Sequence, residues 1–137
     1  MTTTPTCAER LPAEFDGRIQ DLHELWTRYC AGEEEEEIDT ATATTTNDLG
    51  SIFDYGLSFD WIAPNTFRDQ QEGYYRYQLS CGGPQDEFRF FPKHWRIEYW
   101  FLDWFDGAYV ELVGDDKDLL IEIYEWFESM GMTEVKT

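Results

Sequence analysis

Basic residues are scarce in this chain. Only 10 Lys plus Arg stand against 29 Asp plus Glu, a formal net charge of −19 over 137 residues. Phosphate contacts supply most non-specific affinity for nucleic acid, so a chain of this charge is repelled by DNA and RNA and direct binding to either is not expected. Cysteine is sparse as well. Cys7, Cys30 and Cys81 are an odd number without C-x-x-C spacing, and histidine is limited to His23 and His94. That combination argues against a disulfide framework and against a zinc site, and it suits a reducing cytoplasmic setting. No run reaches ~18 consecutive apolar residues. The start, Met1-Thr-Thr-Thr-Pro-Thr-Cys7, has neither a basic segment nor an apolar run, so neither export nor a membrane span is expected.

Catalytic constellations are equally thin. Gly82-Gly83-Pro84 lacks the spacing of a phosphate-binding loop and falls between strands, where it reads as a turn. Asp103 and Asp106 are the nearest approach to a carboxylate pair of the kind that glycosidases and metal sites use. A structural reading of them is stronger: Asp106-Gly107 suits a type I′ turn, and Asp103, set among aromatic rings, suits an acceptor for an arginine or a backbone N–H. His23 lies mid-helix beside Glu24, and His94, in a Pro-Lys-His-Trp loop, is placed to pair with a carboxylate. The chain is expected to be no enzyme, with no cofactor and no metal.

What is present is aromatic surface. Six Trp, eight Tyr and ten Phe make 18% of the chain, too much ring area for a disordered acidic polymer, so one folded domain over 1–137 is expected. Leu11, Phe15, Ile19, Leu22, Trp26, Tyr29 and Cys30 recur at three- and four-residue steps, which predicts a helix over 11–31 with Gly32 at its end. Residues 33–46 contain five consecutive glutamates and a Thr/Ala tract and read as a mobile linker. Asn47 suits the cap of a short helical turn through Leu49, Ile52 and Phe53, with Gly56 stopping it. Alternation and ring enrichment then predict strands over 57–62, 74–81, 87–91, 96–105 and 108–113. Leu119, Leu120, Ile123, Tyr124 and Phe127 mark a last helix over 115–130, with Asp115 or Asp116 near its cap and Gly131 past its end. The expected fold is α+β: an antiparallel meander of four or five strands flanked by an N-terminal and a C-terminal helix, both on one face of the sheet. Arg76, Arg89 and Arg96 are expected to make cross-strand ion pairs with Glu87, Glu98 and Asp103, the alternative being a small cationic patch that grips a carboxylate of a partner.

The negative charge is unevenly spread. Residues 1–60 carry a net −11 and 98–137 a net −9, whereas 61–97 carry +1. On the last helix Asp118, Glu122, Glu125 and Glu128 recur at helical steps, behind Asp115 and Asp116, and Lys117 is the only base among them. Each like-charge neighbour at such spacing costs about 0.2–0.5 kcal/mol. These six residues, with Glu33, Glu34, Glu35, Glu36 and Glu37, are the candidate partner-binding residues, either a solvated face or a template for a basic protein surface. Carboxylates one helical turn apart, ~5–6 Å between Cβ atoms, suit a Lys/Arg-lined groove built for phosphates.

Residues 73–91, Gly-Tyr-Tyr-Arg-Tyr-Gln-Leu-Ser-Cys-Gly-Gly-Pro-Gln-Asp-Glu-Phe-Arg-Phe-Phe, and 97–107, Ile-Glu-Tyr-Trp-Phe-Leu-Asp-Trp-Phe-Asp-Gly, together with size and composition, resemble small acidic proteins carried by phages and plasmids. That class includes anti-restriction and anti-CRISPR DNA mimics. The resemblance implies a cytoplasmic inhibitor of a nucleic-acid-handling host-defence protein, and it assigns no residue a role. Two other classes stay open: an immunity protein that neutralises a basic nuclease toxin, and an adaptor domain whose charge serves solubility.

Overall fold

The computed structural model describes residues 6–32, 51–103 and 106–133, apart from the side chain of Phe53. The expected linker at 33–46, Glu33 to Glu37 within it, and the proposed cap Asn47 lie outside the described residues.

Helix α1 (Cys7–Cys30) begins four residues before the apolar spacing predicts. The cause is a reciprocal cap: Thr6 Oγ1 accepts from the Glu9 amide at 3.1 Å, and Glu9 Oε1 accepts from the Thr6 amide at 2.8 Å. Gly32, at φ +82°, follows the C-cap Ala31 and ends the helix. Helix α2 (Ile52–Tyr55) starts from Ser51 and is followed by Gly56. Gly56 has φ −93°, so its conformation is open to any residue. Its role is room: a Cβ there would lie 2.2 Å from the Tyr77 ring.

Five strands follow, β1 (Ser58–Ile62), β2 (Tyr74–Ser80), β3 (Gln85–Phe91), β4 (Arg96–Asp103) and β5 (Asp106–Glu111). They pair in sequence order, each antiparallel to the next. Register aligns Trp61, Tyr75, Phe90 and Ile97 in one row, and Phe59, Tyr77, Phe88, Tyr99 and Val110 in another, all on one face. Both long helices cover that face. From α1, Phe15 packs on Tyr99, with ring centroids 5.5 Å apart. From α3 (Gly114–Ser129), Phe127 stacks on Phe59 at 4.2 Å and Tyr124 meets Tyr75 and Phe90. Leu22, Leu25, Leu120 and Ile123 are fully buried between the layers. The α+β meander with terminal helices is therefore the observed fold.

Several local expectations are corrected. Asp106-Gly107 is not the β4–β5 turn: Asp103 pairs with Asp106, and β5 opens there rather than at Ala108. Asp106 is instead committed to α1, its carboxylate accepting from the Cys7 amide at 2.8 Å and from the Gly107 amide at 2.9 Å. The Cys7 hydrogen bond, ahead of every other influence, holds the Asp106 carboxyl below its ordinary range. Gly107 faces Leu102 across the strands, and a Cβ there would lie 2.7 Å from Leu102 Cδ2. Asp115 and Asp116 do lie near the α3 cap, as expected, without either being the cap residue itself. Val113 is its N-cap, with no side-chain bond, and the two acids sit in the first turn, where the helix dipole favours negative charge. The other end meets expectation: Gly131 donates to Glu128 O at 3.0 Å and Met132 to Phe127 O at 3.1 Å, a Schellman closure.

One charged group sits within the helix-covered face. Asp86, 1% exposed, receives Arg18 through Nε at 2.7 Å and Nη2 at 3.0 Å, the Tyr99 hydroxyl at 2.6 Å and the Ser80 hydroxyl at 2.5 Å. Arg18 also donates to the Tyr55 hydroxyl at 3.0 Å, which donates onward to Asp21 at 2.6 Å. Burial opposes the Arg18 charge, but its bonds to Asp86 and Tyr55 outweigh that and raise its pKa. Burial, then the bond to Asp86, raises the Tyr99 pKa. The network ties α1, α2, β2, β3 and β4 together. No helix among the described residues is long and apolar enough to cross a membrane.

Candidate functional site

The molecule consumes its arginines internally. Six of the seven form ion pairs: Arg10 with Asp103 at 2.6 Å, Arg18 with Asp86, Arg28 with Glu24 at 3.4 Å, Arg76 with Asp60 at 3.5 Å, Arg89 with Glu87 at 2.6 Å, and Arg96 with Glu72 at 2.8 Å and Glu98 at 3.0 Å. The expected cross-strand pattern holds for Arg76 alone, and there the partner is Asp60. Arg89–Glu87 and Arg96–Glu98 run along one strand, because residues two apart share a sheet face. Asp103 pairs with Arg10 of α1, which accounts for one half of the candidate carboxylate pair as the docking of α1 accounts for the other.

Against that internal pairing, the acids of α3 stand alone. Asp115, Asp118, Glu122, Glu125 and Glu128 are exposed and Asp116 half-buried, and among the described residues none of the six is in an ion pair. The expected single row divides in space. Asp115, Asp116, Asp118 and Glu122 line a cleft of about 420 Å³ between α1 and α3, whose other wall is His23, Trp26, Thr27 and Cys30. Trp26 Nε1 donates to Glu122 Oε1 at 2.9 Å and holds that carboxylate at the cleft wall. Burial, and then the Glu122 charge, push the Cys30 thiol up. Glu125 is outside the cleft lining, and Glu128 acts on the Tyr75 and Tyr124 hydroxyls. Tyr124 is pushed up to about 12, by burial first and then by Tyr75 and Glu128.

The opposite face of the sheet carries an arrangement that residue-by-residue reading missed. Tyr74, Arg89, Trp100 and Tyr109, one from each of β2 to β5, lie over one another: the Arg89 guanidinium is 4.8 Å from the Tyr74 ring and 4.1 Å from Trp100, and Trp100 stacks on Tyr109 at 4.5 Å and 13°. Beneath this layer Glu87 and Glu98 are 1% and 9% exposed. Glu87 accepts from Arg89 Nε and Gln85 Nε2, and Glu98 from Arg96 Nε and Trp100 Nε1. The signal was in the sequence: Glu87/Arg89 and Arg96/Glu98/Trp100 alternate with apolar residues and must share a face.

His94 Nε2 lies 3.4 Å from Glu72, a surface pair. Among the described residues no group of His, Cys, Asp and Glu is placed to hold a metal ion. No family model, curated protein or solved structure matches the chain.

Proposed function

We propose that this protein is a non-catalytic acidic binding protein that imitates nucleic acid, presenting the α3 carboxylates and the α1–α3 cleft to the Lys/Arg-lined groove of a nucleic-acid-handling protein and blocking it by competition. The observation that carries this reading is the division of charge: six of the seven arginines are paired within the fold, while among the described residues Asp115, Asp116, Asp118, Glu122, Glu125 and Glu128, on two sides of one helix, are in no ion pair. Like-charge repulsion along α3 is a cost in the free protein that a cationic surface relieves on binding. Such an interface associates fast at low salt and weakens steeply as salt rises. The resemblance to anti-restriction and anti-CRISPR mimics points the same way.

The test is the pair of reversals Asp118→Lys and Glu122→Lys, made together. Affinity for the captured nucleic-acid-handling partner should fall by roughly tenfold or more at low salt, and duplex DNA should compete with the wild-type protein for the same groove. Unchanged affinity without salt dependence, or binding that DNA does not contest, sinks the mimicry reading.

A further inference from the structure

Four arginines in this molecule are held in one way, by a carboxylate and an aromatic ring together. Arg10 pairs with Asp103 and lies 4.7 Å over Phe101; Arg18 pairs with Asp86 and lies 5.4 Å from Tyr55. On the outer face, Arg89 pairs with Glu87 over Trp100 at 4.1 Å, and Arg96 pairs with Glu98 over Phe91 at 4.0 Å. Each unit joins a charge-assisted hydrogen bond to attraction between cation and ring quadrupole. A lysine satisfies the second only as a point charge, whereas the planar guanidinium satisfies both at once.

At β5 the outer face ends in the same two elements, and among the described residues no arginine is paired with Glu111 or lies over Tyr109. Tyr109 and Glu111 are two residues apart on β5 and so share this face, and both are exposed, Tyr109 to 54%. One ring face of Tyr109 stacks on Trp100, at the end of the Tyr74–Arg89–Trp100 layer. Across the strands Glu111 faces Glu98, a like-charge pair, and Glu98 is already bonded to Arg96 and Trp100. Like charges directly opposite one another in a sheet are unfavourable, and a cation beside Glu111 offsets that cost.

We propose that the β4–β5 end of the outer face is a receptor for an arginine side chain of a partner protein, the guanidinium lying on the Tyr109 ring and paired with Glu111. The occupant is arginine because the site repeats the composition of the four internal arginine sites, and because its local charge is complementary to one cation. The site depends on the preceding reading only in that the partner presents basic residues, and it lies on the sheet face opposite the helices.

The isolated full-length protein is titrated with blocked Gly-Arg-Gly and, separately, Gly-Lys-Gly, and amide and side-chain chemical shifts are followed by NMR. Arginine peptide should shift the signals of Tyr109, Glu111 and Trp100 with an affinity roughly threefold or more above that of lysine peptide. Tyr109→Ala and Glu111→Gln should each remove most of that response, and Tyr109→Phe should keep it, since the ring is retained. The Asp118→Lys and Glu122→Lys pair should leave it unchanged, so loss of the helix-face reading and loss of this one are separable. No response at β5, a response confined to α3, or equal binding of the two peptides overturns the proposal.

Discussion

Replacing Arg18 by methionine probes the network that ties the layers together. In the wild type the Asp86 carboxylate, with its side chain 2% exposed, receives two bonds from Arg18 and one each from the Tyr99 and Ser80 hydroxyls. Arg18→Met keeps the apolar stem and removes the only formal positive charge bonded to Asp86 among the described residues, leaving two hydroxyls on a buried anion. Breaking a fully buried ion pair from one side costs about 3–5 kcal/mol. The Arg18 side chain is 23% exposed and the hydroxyls remain, so about 3 kcal/mol is expected here. Asp86→Asn should cost less, about 1–2 kcal/mol, because the unpaired guanidinium can turn toward solvent whereas the carboxylate cannot. The double variant should fall short of the sum by about 1 kcal/mol or more. Urea unfolding followed by circular dichroism measures all three, and with a slope of about 1–3 kcal/mol/M the Arg18→Met midpoint should drop by more than about 1 M. A loss below about 1 kcal/mol for Arg18→Met, or strict additivity in the double variant, refutes the reasoning.

Three further outcomes are expected. Asp106 has a depressed carboxyl pKa in the folded state, so its contribution to stability is fully present above its ordinary value of 3.8 and is lost as pH falls through the lower folded value. Hydrogen-exchange protection at the start of α1 should fall in that acid window, and Asp106→Ala should remove the pH dependence. Gly56→Ala adds a methyl 2.2 Å from the Tyr77 ring without straining the backbone, so it should cost about 1–3 kcal/mol in chemical denaturation, while Gly17→Ala, with open space around it, should not destabilise. Cys30, whose thiol is raised by burial and by Glu122, should alkylate faster in Glu122→Gln, and buried Cys7 should stay unlabelled until unfolding.

The fold was legible because two periodicities are cleanly separated along the chain: three- and four-residue spacing from Leu11 to Cys30 and again from Leu119 to Phe127, with alternation between. Turn chemistry misled where a residue had a distant partner. Asp106-Gly107 has the composition of a tight turn, but Asp106 serves the amide of Cys7, 99 positions earlier, and Gly107 makes room for Leu102. The start of α1 was missed although Thr6-x-x-Glu9 is a capping pattern, because apolar spacing begins only at Leu11. Of the candidate surface, the exposure of the α3 acids follows from the placement of Leu119, Ile123 and Phe127 on the buried side. Their division between the α1–α3 cleft and the neighbourhood of Tyr75 and Tyr124 depends on how α3 sits against α1 and the sheet, which no single segment encodes.

Each strand pairs only with its neighbour in sequence, so the sheet can grow as it is synthesised, one hairpin at a time. Helix α1 has no such convenience. It is made before the sheet, yet its hydrogen-bond anchors there are Asp86 on β3, Asp103 at the end of β4 and Asp106 at the start of β5. A chain emerging from the ribosome therefore carries the apolar stripe of α1, with Leu22 and Leu25 unburied, until β4 and the opening of β5 are outside the exit tunnel. A helix made ahead of the sheet is seated only once most of that sheet exists.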